Sequence, residues 1–366
     1  MSTAPASRRG SAPGARFAGR PRAAALAFLA AASALVAPFA TPACRGPSLP
    51  AFDPEGALEK SVSGERAFAH LEALVALGPR PPGSESLEEA RRYIETQLAE
   101  AGWTSGRDAF TARSPSGEEI ELVNLRARFS GNGASKSKAG AAPLGVLGAP
   151  YGTKRYDSFE FFGANDGTSG AALLLELAAV FAERPTLASR LELVFLDGEE
   201  ALGPRITPRD GLYGSRRHAA EWSLARPAER PRWALFVDGV GGTEARLRAA
   251  MRLPGEGLRE LGAKPGSGYE VDFDALQSGL SALSGDLLAA AEDLGLRGRV
   301  GISPDYLLGS HLPLNVVAGV PALQFVDADY AYRHSSGDTL DKLSPASLET
   351  AGRVAVQWVE RYRWRQ

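Results

Sequence analysis

Cysteine is almost absent from this chain: Cys44 is the only one in 366 residues, so the folded part can hold no intrachain disulfide. An excess of positive charge is absent too. Lys and Arg number 41 against 43 Asp and Glu, a formal net charge of −2, which gives no electrostatic footprint for nucleic acid. No internal repeat is visible. The apolar stretch from Ala23 to about Ala37 falls short of the ~20 residues that a membrane-spanning helix needs. Histidine is scarce, with 4 in the whole chain. What is there is an ordinary globular composition, 44% hydrophobic and 23% charged, at a length that α/β enzymes often fold as one domain.

The apolar stretch follows Arg8, Arg9, Arg16, Arg20 and Arg22 and precedes small residues and Thr41-Pro42-Ala43-Cys44. Charged, apolar and small residues in that order make a secretory signal, so residues 1–43 are expected to direct export. An uncleaved membrane anchor is the other reading of the same stretch. Cys44 stands where bacterial lipoproteins carry a lipid-modified cysteine, although Thr41 takes the place usually held by leucine. Lipid on Cys44 would anchor the exported chain to a membrane; without it the chain belongs in the bacterial periplasm. Residues 44–62, Pro-rich around Pro47–Pro54, read as a linker to a single catalytic domain over 63–366.

Within that domain, helical spacing predicts helices over Glu65–Leu77 and Ser86–Ala101, separated by the turn cluster Gly78-Pro79-Arg80-Pro81-Pro82-Gly83. Arg80 is expected to pin that turn. Strand-like segments follow at Asp108–Ser114 and Glu119–Phe129, then Ser130–Ala142, rich in Gly, Ser and Lys, as a hairpin tip or insertion. From Leu144 the pattern alternates. Strands are predicted at Leu144–Ala149, Leu191–Leu196, Trp233–Val237 and Val320–Val326, and helices at Ser169–Phe181, Gly214–Glu221, Leu280–Leu294 and Leu348–Tyr362. Such alternation implies an α/β fold: a mostly parallel, mixed central sheet with helices on both faces. Ligands of such sheets bind beyond the carboxyl ends of the strands. Asp166, Glu199, Glu200, Asp238 and His334 all follow strand-like runs.

Two carboxylates and one imidazole, with a fourth position open, form the ligand set of a catalytic zinc, and an adjacent glutamate supplies the acid/base that such a metal needs. The bland readings are a turn-capping Asp166 before Gly167, a solvated acidic pair at 199–200 and a surface His334. A buried strand ahead of the glutamates and the motif around His334 weigh against them. His218, among Arg216, Arg217 and Ala219, reads as solvated surface, as does His70. His311 reads as the rim of the site, where it binds substrate or orients a carboxylate; a packing role is the alternative.

The chain resembles the zinc aminopeptidase and glutaminyl cyclase superfamily from Arg80 to the last helix. The resemblance rests on Leu77-Gly78-Pro79-Arg80-Pro81-Pro82-Gly83-Ser84, Asn165-Asp166-Gly167, Phe195-Leu196-Asp197-Gly198-Glu199-Glu200-Ala201, Asp210-Gly211-Leu212-Tyr213-Gly214-Ser215-Arg216, Phe236-Val237-Asp238 and His334-Ser335-Ser336-Gly337-Asp338. It implies a zinc exopeptidase-like fold in which Asp166, Glu200 and His334 hold one zinc per chain and Glu199 is the general base and acid. Asp238 would lie either on a second metal, as in two-zinc aminopeptidases, or in a carboxylate network with Glu199, as in the cyclases.

Departures from the family pattern choose between those branches. Aminopeptidases need a histidine for the second metal after the strand at Leu144–Ala149, where this chain has Pro150-Tyr151-Gly152. Cyclases carry an Asp-His pair before a proline, where this chain has Ser310-His311-Leu312-Pro313. They also carry tryptophans around the glutamine pocket, where this chain has Arg333 and Arg205-Ile206. Ser310, His311 and Arg333 are therefore the expected substrate-side residues. The implied activity is a zinc-dependent glutaminyl-peptide cyclotransferase acting on peptides or proteins with an N-terminal Gln. A zinc aminopeptidase and a catalytically decayed binding domain remain as alternatives, and the intact Asp166–Glu199–Glu200–His334 set argues against the last.

Overall fold

Two serines set where the described chain turns helical. Ser63 accepts from the Arg66 N–H at the start of α1 (Gly64–Ala76), and Ser84 accepts from the Leu87 N–H at the start of α2 (Glu85–Glu100). The computed structural model describes residues 57–132, 142–207, 209–253 and 271–363. The export signal, Cys44, most of the 44–62 linker and most of the Ser130–Ala142 segment lie outside them. Among the described residues no helix is long and apolar enough to cross a membrane.

Arg80 does pin the turn between α1 and α2. Its guanidinium is buried and donates to the carbonyls of Leu74 (2.9 Å) and Gly78 (2.7 Å). It also reaches the Tyr151 carbonyl (3.4 Å) and the Thr168 hydroxyl, so one cation ties the turn to the loops that carry the candidate site. Burial without a carboxylate partner lowers its pKa to about 10.

Among the described residues the sheet has eight strands: β1 (Trp103–Arg113), β2 (Glu119–Phe129), β3 (Gly145–Pro150), β4 (Leu191–Leu196), β5 (Trp233–Asp238), β6 (Leu247–Ala250), β7 (Val300–Ile302) and β8 (Ala322–Val326). Their spatial order is β1-β2-β4-β3-β5-β8-β6-β7. The centre, β4-β3-β5-β8, is parallel. The β1–β2 hairpin joins β4 antiparallel, and β6 joins β8 antiparallel with β7 parallel to β6, so the expected mixed sheet is present. Strands β3, β4 and β8 are buried along their whole length, as a parallel sheet covered on both faces requires.

One face carries α1, α2, α3 (Ser169–Ala182), the short α4 (Pro185–Ala188), α6 (Phe273–Asp293) and α8 (Pro345–Gln357), which share one large apolar core with the sheet. The other face carries α5 (Tyr213–Leu224) and α7 (His311–Ala318) over Val146, Val194, Phe236 and Ala322. Helix α8 runs on as a π-helical segment, Trp358–Arg363, and the Trp358 ring meets Trp233 edge-on at 5.0 Å.

His218 corrects the sequence reading. It is 1% exposed on α5, and its Nε2 lies 2.9 Å from Oε1 of Glu192 on buried β4. Arg126 donates to both oxygens of the same carboxylate. A carboxylate inside a buried strand needs such partners, and a sequence window of α5 does not show them. Burial alone would push the Glu192 carboxyl up; His218 and Arg126 outweigh it and hold the pKa at about 2, against an ordinary 4.5. A depressed pKa contributes stability that is complete above pH 4.5 and lost as pH falls toward 2. Glu192→Gln should therefore cost on the order of 3 kcal/mol at neutral pH and flatten the acid limb of stability below pH 5. Denaturant melts across that range check it; a parallel acid limb in the variant would contradict it. His70 is half-buried, with Nδ1 2.8 Å from the Tyr93 hydroxyl.

Candidate active site

The loops that leave the parallel strands converge at their carboxyl ends. Asp166 precedes α3, Glu199 and Glu200 follow β4, Asp238 ends β5 and His334 follows β8. Asp166, Glu200 and His334 each offer one ligand atom, and these atoms lie within 4.8 Å of one another. His334 Nε2 is 3.0 Å from Asp166 Oδ2 and 3.3 Å from Glu200 Oε2. All three atoms are buried and none has a hydrogen-bond partner. Two carboxylate oxygens and one imidazole nitrogen that converge in a buried place fit a divalent cation with oxygen and nitrogen ligands. Asp166 and then Glu200, by their nearness, hold the His334 imidazole up to about 10. Metal uptake would therefore displace a proton.

Backbone geometry fixes the ligands. Among the described residues His334 is one of two non-glycine residues in the left-handed region, at φ 57, a conformation that persists only where its surroundings impose it. Asp338, four residues on, is the clamp. Its Oδ1 accepts from the Asn165 N–H (2.8 Å) and the Tyr330 hydroxyl (3.0 Å), and its Oδ2 from the Asp166 N–H (3.0 Å). One carboxylate thus joins the His334 loop to the Asp166 loop. Gly167, at φ 90, brings the backbone so close that a Cβ would stand 2.3 Å from the Gly152 carbonyl oxygen. Replacing Asp338 by Asn puts an amide against at least one of these donors, so metal affinity should fall 10–100-fold. Competition with a chelator measures it, and unchanged affinity would contradict the clamp.

Glu199 is 7% exposed and directly precedes the candidate ligand Glu200 in the loop after β4. Its Oε1 accepts from the Ser215 N–H (2.8 Å), in the first turn of α5, and its Oε2 accepts from the Ser310 hydroxyl (2.6 Å). Burial still pushes its pKa up to about 7, against those donors. Asp238 accepts from the Gly167 N–H at 3.1 Å; burial, then Asp166, raises it to about 8. Among the described residues no hydrogen bond joins Asp238 to Glu199, so the partner of Glu199 is a serine hydroxyl rather than a second carboxylate. Asp197 roots the same loop: its Oδ2 accepts from Arg91 (2.8 Å) and from the Val123 N–H (2.9 Å).

The expected substrate-side residues are placed unequally. Ser310 meets Glu199 directly. Arg333 Nε lies 3.5 Å from Asp166 Oδ2, with about a third of its side chain exposed. His311 is not at the rim: it is 1% exposed at the start of α7, and burial lowers its pKa to about 3. Sequence reasoning missed Ser215 and the linking role of Asp338. It also passed over an aromatic group ahead of Asp166. Phe161 meets His334 edge-on at 6.3 Å, Tyr156 meets Phe161 at 5.4 Å, and Tyr156 stacks on Phe159 at 4.4 Å. Four aromatics between 156 and 162 were the available signal.

Fold and site define an α/β enzyme with a candidate metal centre at the carboxyl edge of its sheet. Residues 141–256 match Peptidase family M28. The glutaminyl-peptide cyclotransferase-like protein of Bos taurus is 29% identical over 304 residues, which cover 77% of this chain and 72% of that one. The glutaminyl-peptide cyclotransferase of Drosophila melanogaster is 30% identical over 167 residues, 44% of this chain and 45% of that one. The crystal structure of Acidobacteriales bacterium glutaminyl cyclase superposes with a TM-score of 0.66 at 27% identity, over 83% of this chain and 96% of that one. In sequence and fold the chain is similar to the aminopeptidase and glutaminyl cyclase superfamily, and to its glutaminyl-peptide cyclotransferase-like branch.

Proposed function

We propose that this enzyme is a zinc-dependent glutaminyl-peptide cyclotransferase, which closes an N-terminal glutamine to pyroglutamate and releases ammonia. The observation that carries the reading is one three-residue ligand set, Asp166, Glu200 and His334, with buried Glu199 held beside it by Ser310 and Ser215. Bound zinc would act as a Lewis acid toward the γ-amide carbonyl of the substrate. Glu199 takes a proton from the α-amine as that nitrogen bonds to the γ-carbonyl carbon, and returns it to the departing amide nitrogen, which leaves as ammonia. A carboxyl with a pKa near 7 suits both transfers at neutral pH. Both reacting groups belong to one residue, so proximity supplies much of the rate and no water is consumed.

Asp238 shapes the field around Asp166, while Ser310 and Arg333 border the reacting region and set peptide preference. The match to a peptidase family favours a second reading, an aminopeptidase in which Glu199 activates water. Against it, Pro150 lines the pocket beside Glu199 and Glu200 and offers no ligand for a second metal. Incubating the purified protein and zinc with Gln-peptides and aminoacyl amides, and following ammonia and free amino acid separately, decides between them. Ammonia without free amino acid from the Gln-peptides supports the cyclase; free amino acid, released from peptides without ammonia and from amides together with it, supports the peptidase. The Arg-rich start and lone Cys44 support export with a lipid anchor. Mass spectrometry of the native chain tests this; an unprocessed start at Met1 in cytoplasmic protein would rule it out.

A further inference from the structure

The loops after β3 and β4 carry basic residues just past the site. Lys154 and Arg155 follow β3, and Leu202, Gly203 and Arg205 follow Glu200. A buried ammonium staples the two loops: Lys154 Nζ donates to the carbonyls of Ala201 and Gly203 (2.7 Å) and has no carboxylate partner among the described residues. The same loops line a cavity of about 710 Å³, bounded also by the β1–β2 turn with Glu118. It lies close to the candidate metal ligands. Leu202, in its wall, is two residues past Glu200. Tyr156, next to Arg155, is near enough to Glu200 and Asp166 for their charges to add to burial in pushing its phenol up to about 12.

The charges that line this cavity are unequally engaged. Asp210 spends both oxygens, Oδ1 on the Leu202 N–H and the Tyr213 hydroxyl and Oδ2 on the Gly203 N–H, and Arg216 lies near enough to feel its charge. Arg155 and Arg205 are exposed, and neither has an ion pair among the described residues. Glu118 is the one acid left to face them, and buried Lys154 adds a third cation next to Gly203. An extended peptide advances about 3.3 Å per residue, so one whose first residue sits at Glu199 and Glu200 brings its second to fourth residues within reach of the cavity. We propose that the cavity receives the peptide behind its N-terminal residue and selects an acidic side chain at the second to fourth place through Arg155 and Arg205. These contacts lie away from the reacting bonds and act alike on bound substrate and transition state, so they change KM rather than kcat. The proposal rests on the site holding a peptide N-terminus, and not on which reaction follows.

Equilibrium binding of labelled peptides to zinc-loaded Glu199→Gln protein tests it without turnover. The peptides begin with Gln and carry either Glu or Lys at the second to fourth places. The Glu peptides should bind at least about fivefold more tightly, the upper range for one exposed ion pair. The preference should shrink in high salt and vanish when Arg155→Ala and Arg205→Ala are added. Arg155→Glu with Arg205→Glu should reverse it toward the Lys peptides, which a misfolded variant could not do. Equal binding of the two peptides, binding of neither, or a preference that survives the double alanine variant overturns the proposal. With the native enzyme, a charge preference accompanied by release of free amino acid keeps the role of the cavity and overturns the cyclase reading. Ring closure with no charge preference does the reverse.

Discussion

Glu199→Gln should retain zinc and lose about 10²–10⁴-fold in turnover, the range for removing a general acid–base. The substitution is nearly isosteric. The Ser310 hydroxyl can rotate to suit an amide, and one amide oxygen can still accept from the Ser215 N–H, so the loop after β4 should keep its shape. What goes is the group that exchanges a proton at a pKa near 7. Rate per bound zinc, with elemental analysis of the same sample, reads both halves. Near-native turnover would remove Glu199 from the mechanism. Loss of zinc would mean that Glu199, not Glu200, is the ligand.

His334→Ala should lose metal and turnover together. Its Nε2 is the only nitrogen in the ligand set, and two carboxylates without it hold zinc poorly. The change should leave the fold in place, because His334 is partly exposed on a loop that Asp338 ties down through its own hydrogen bonds. Native protein after dialysis should carry one zinc. A folded His334→Ala protein that keeps a full equivalent, or native protein with two tightly held, would contradict the ligand assignment.

Much of this was legible in the sequence, for identifiable reasons. The buried strands β3, β4, β5 and β8 are short, largely apolar runs, and the site residues lie at their ends or in the loops that follow, so their pattern and their chemistry point to the same edge of the sheet. Helices α1 and α2 were legible from the helical spacing of their apolar residues and the Gly- and Pro-rich turn between them. What was hidden has little local signal. Strands β6 and β7 are only 4 and 3 residues long, too short for alternation to register. Helix α7 is 8 residues and buried on nearly every side, so it has no polar face to give a helical period. Strand β1 begins at Trp103 rather than Asp108, since its pairing with Phe129 of β2 rather than its own pattern sets the start.

The site divides in the same way. Asp166, Glu199, Glu200, Asp238 and His334 stand in motifs at strand ends. By contrast, the serine that contacts Glu199 is 111 residues from it, and Asp338 is 172 residues from the Asp166 N–H it accepts. The burial of His218 depends on Glu192, 26 residues away on another element. Partnerships across such distances are created by the sheet and cannot be read from a window.

The central claim is that the substrate's own amine, and not water, attacks the amide. The most direct measurement is mass spectrometry of one Gln-initiated peptide after turnover in oxygen-18 water. The account predicts a peptide that keeps every residue, lacks one ammonia, carries a pyroglutamyl ring and contains no heavy oxygen. A peptide shortened by one residue, with heavy oxygen in the released amino acid, would contradict it.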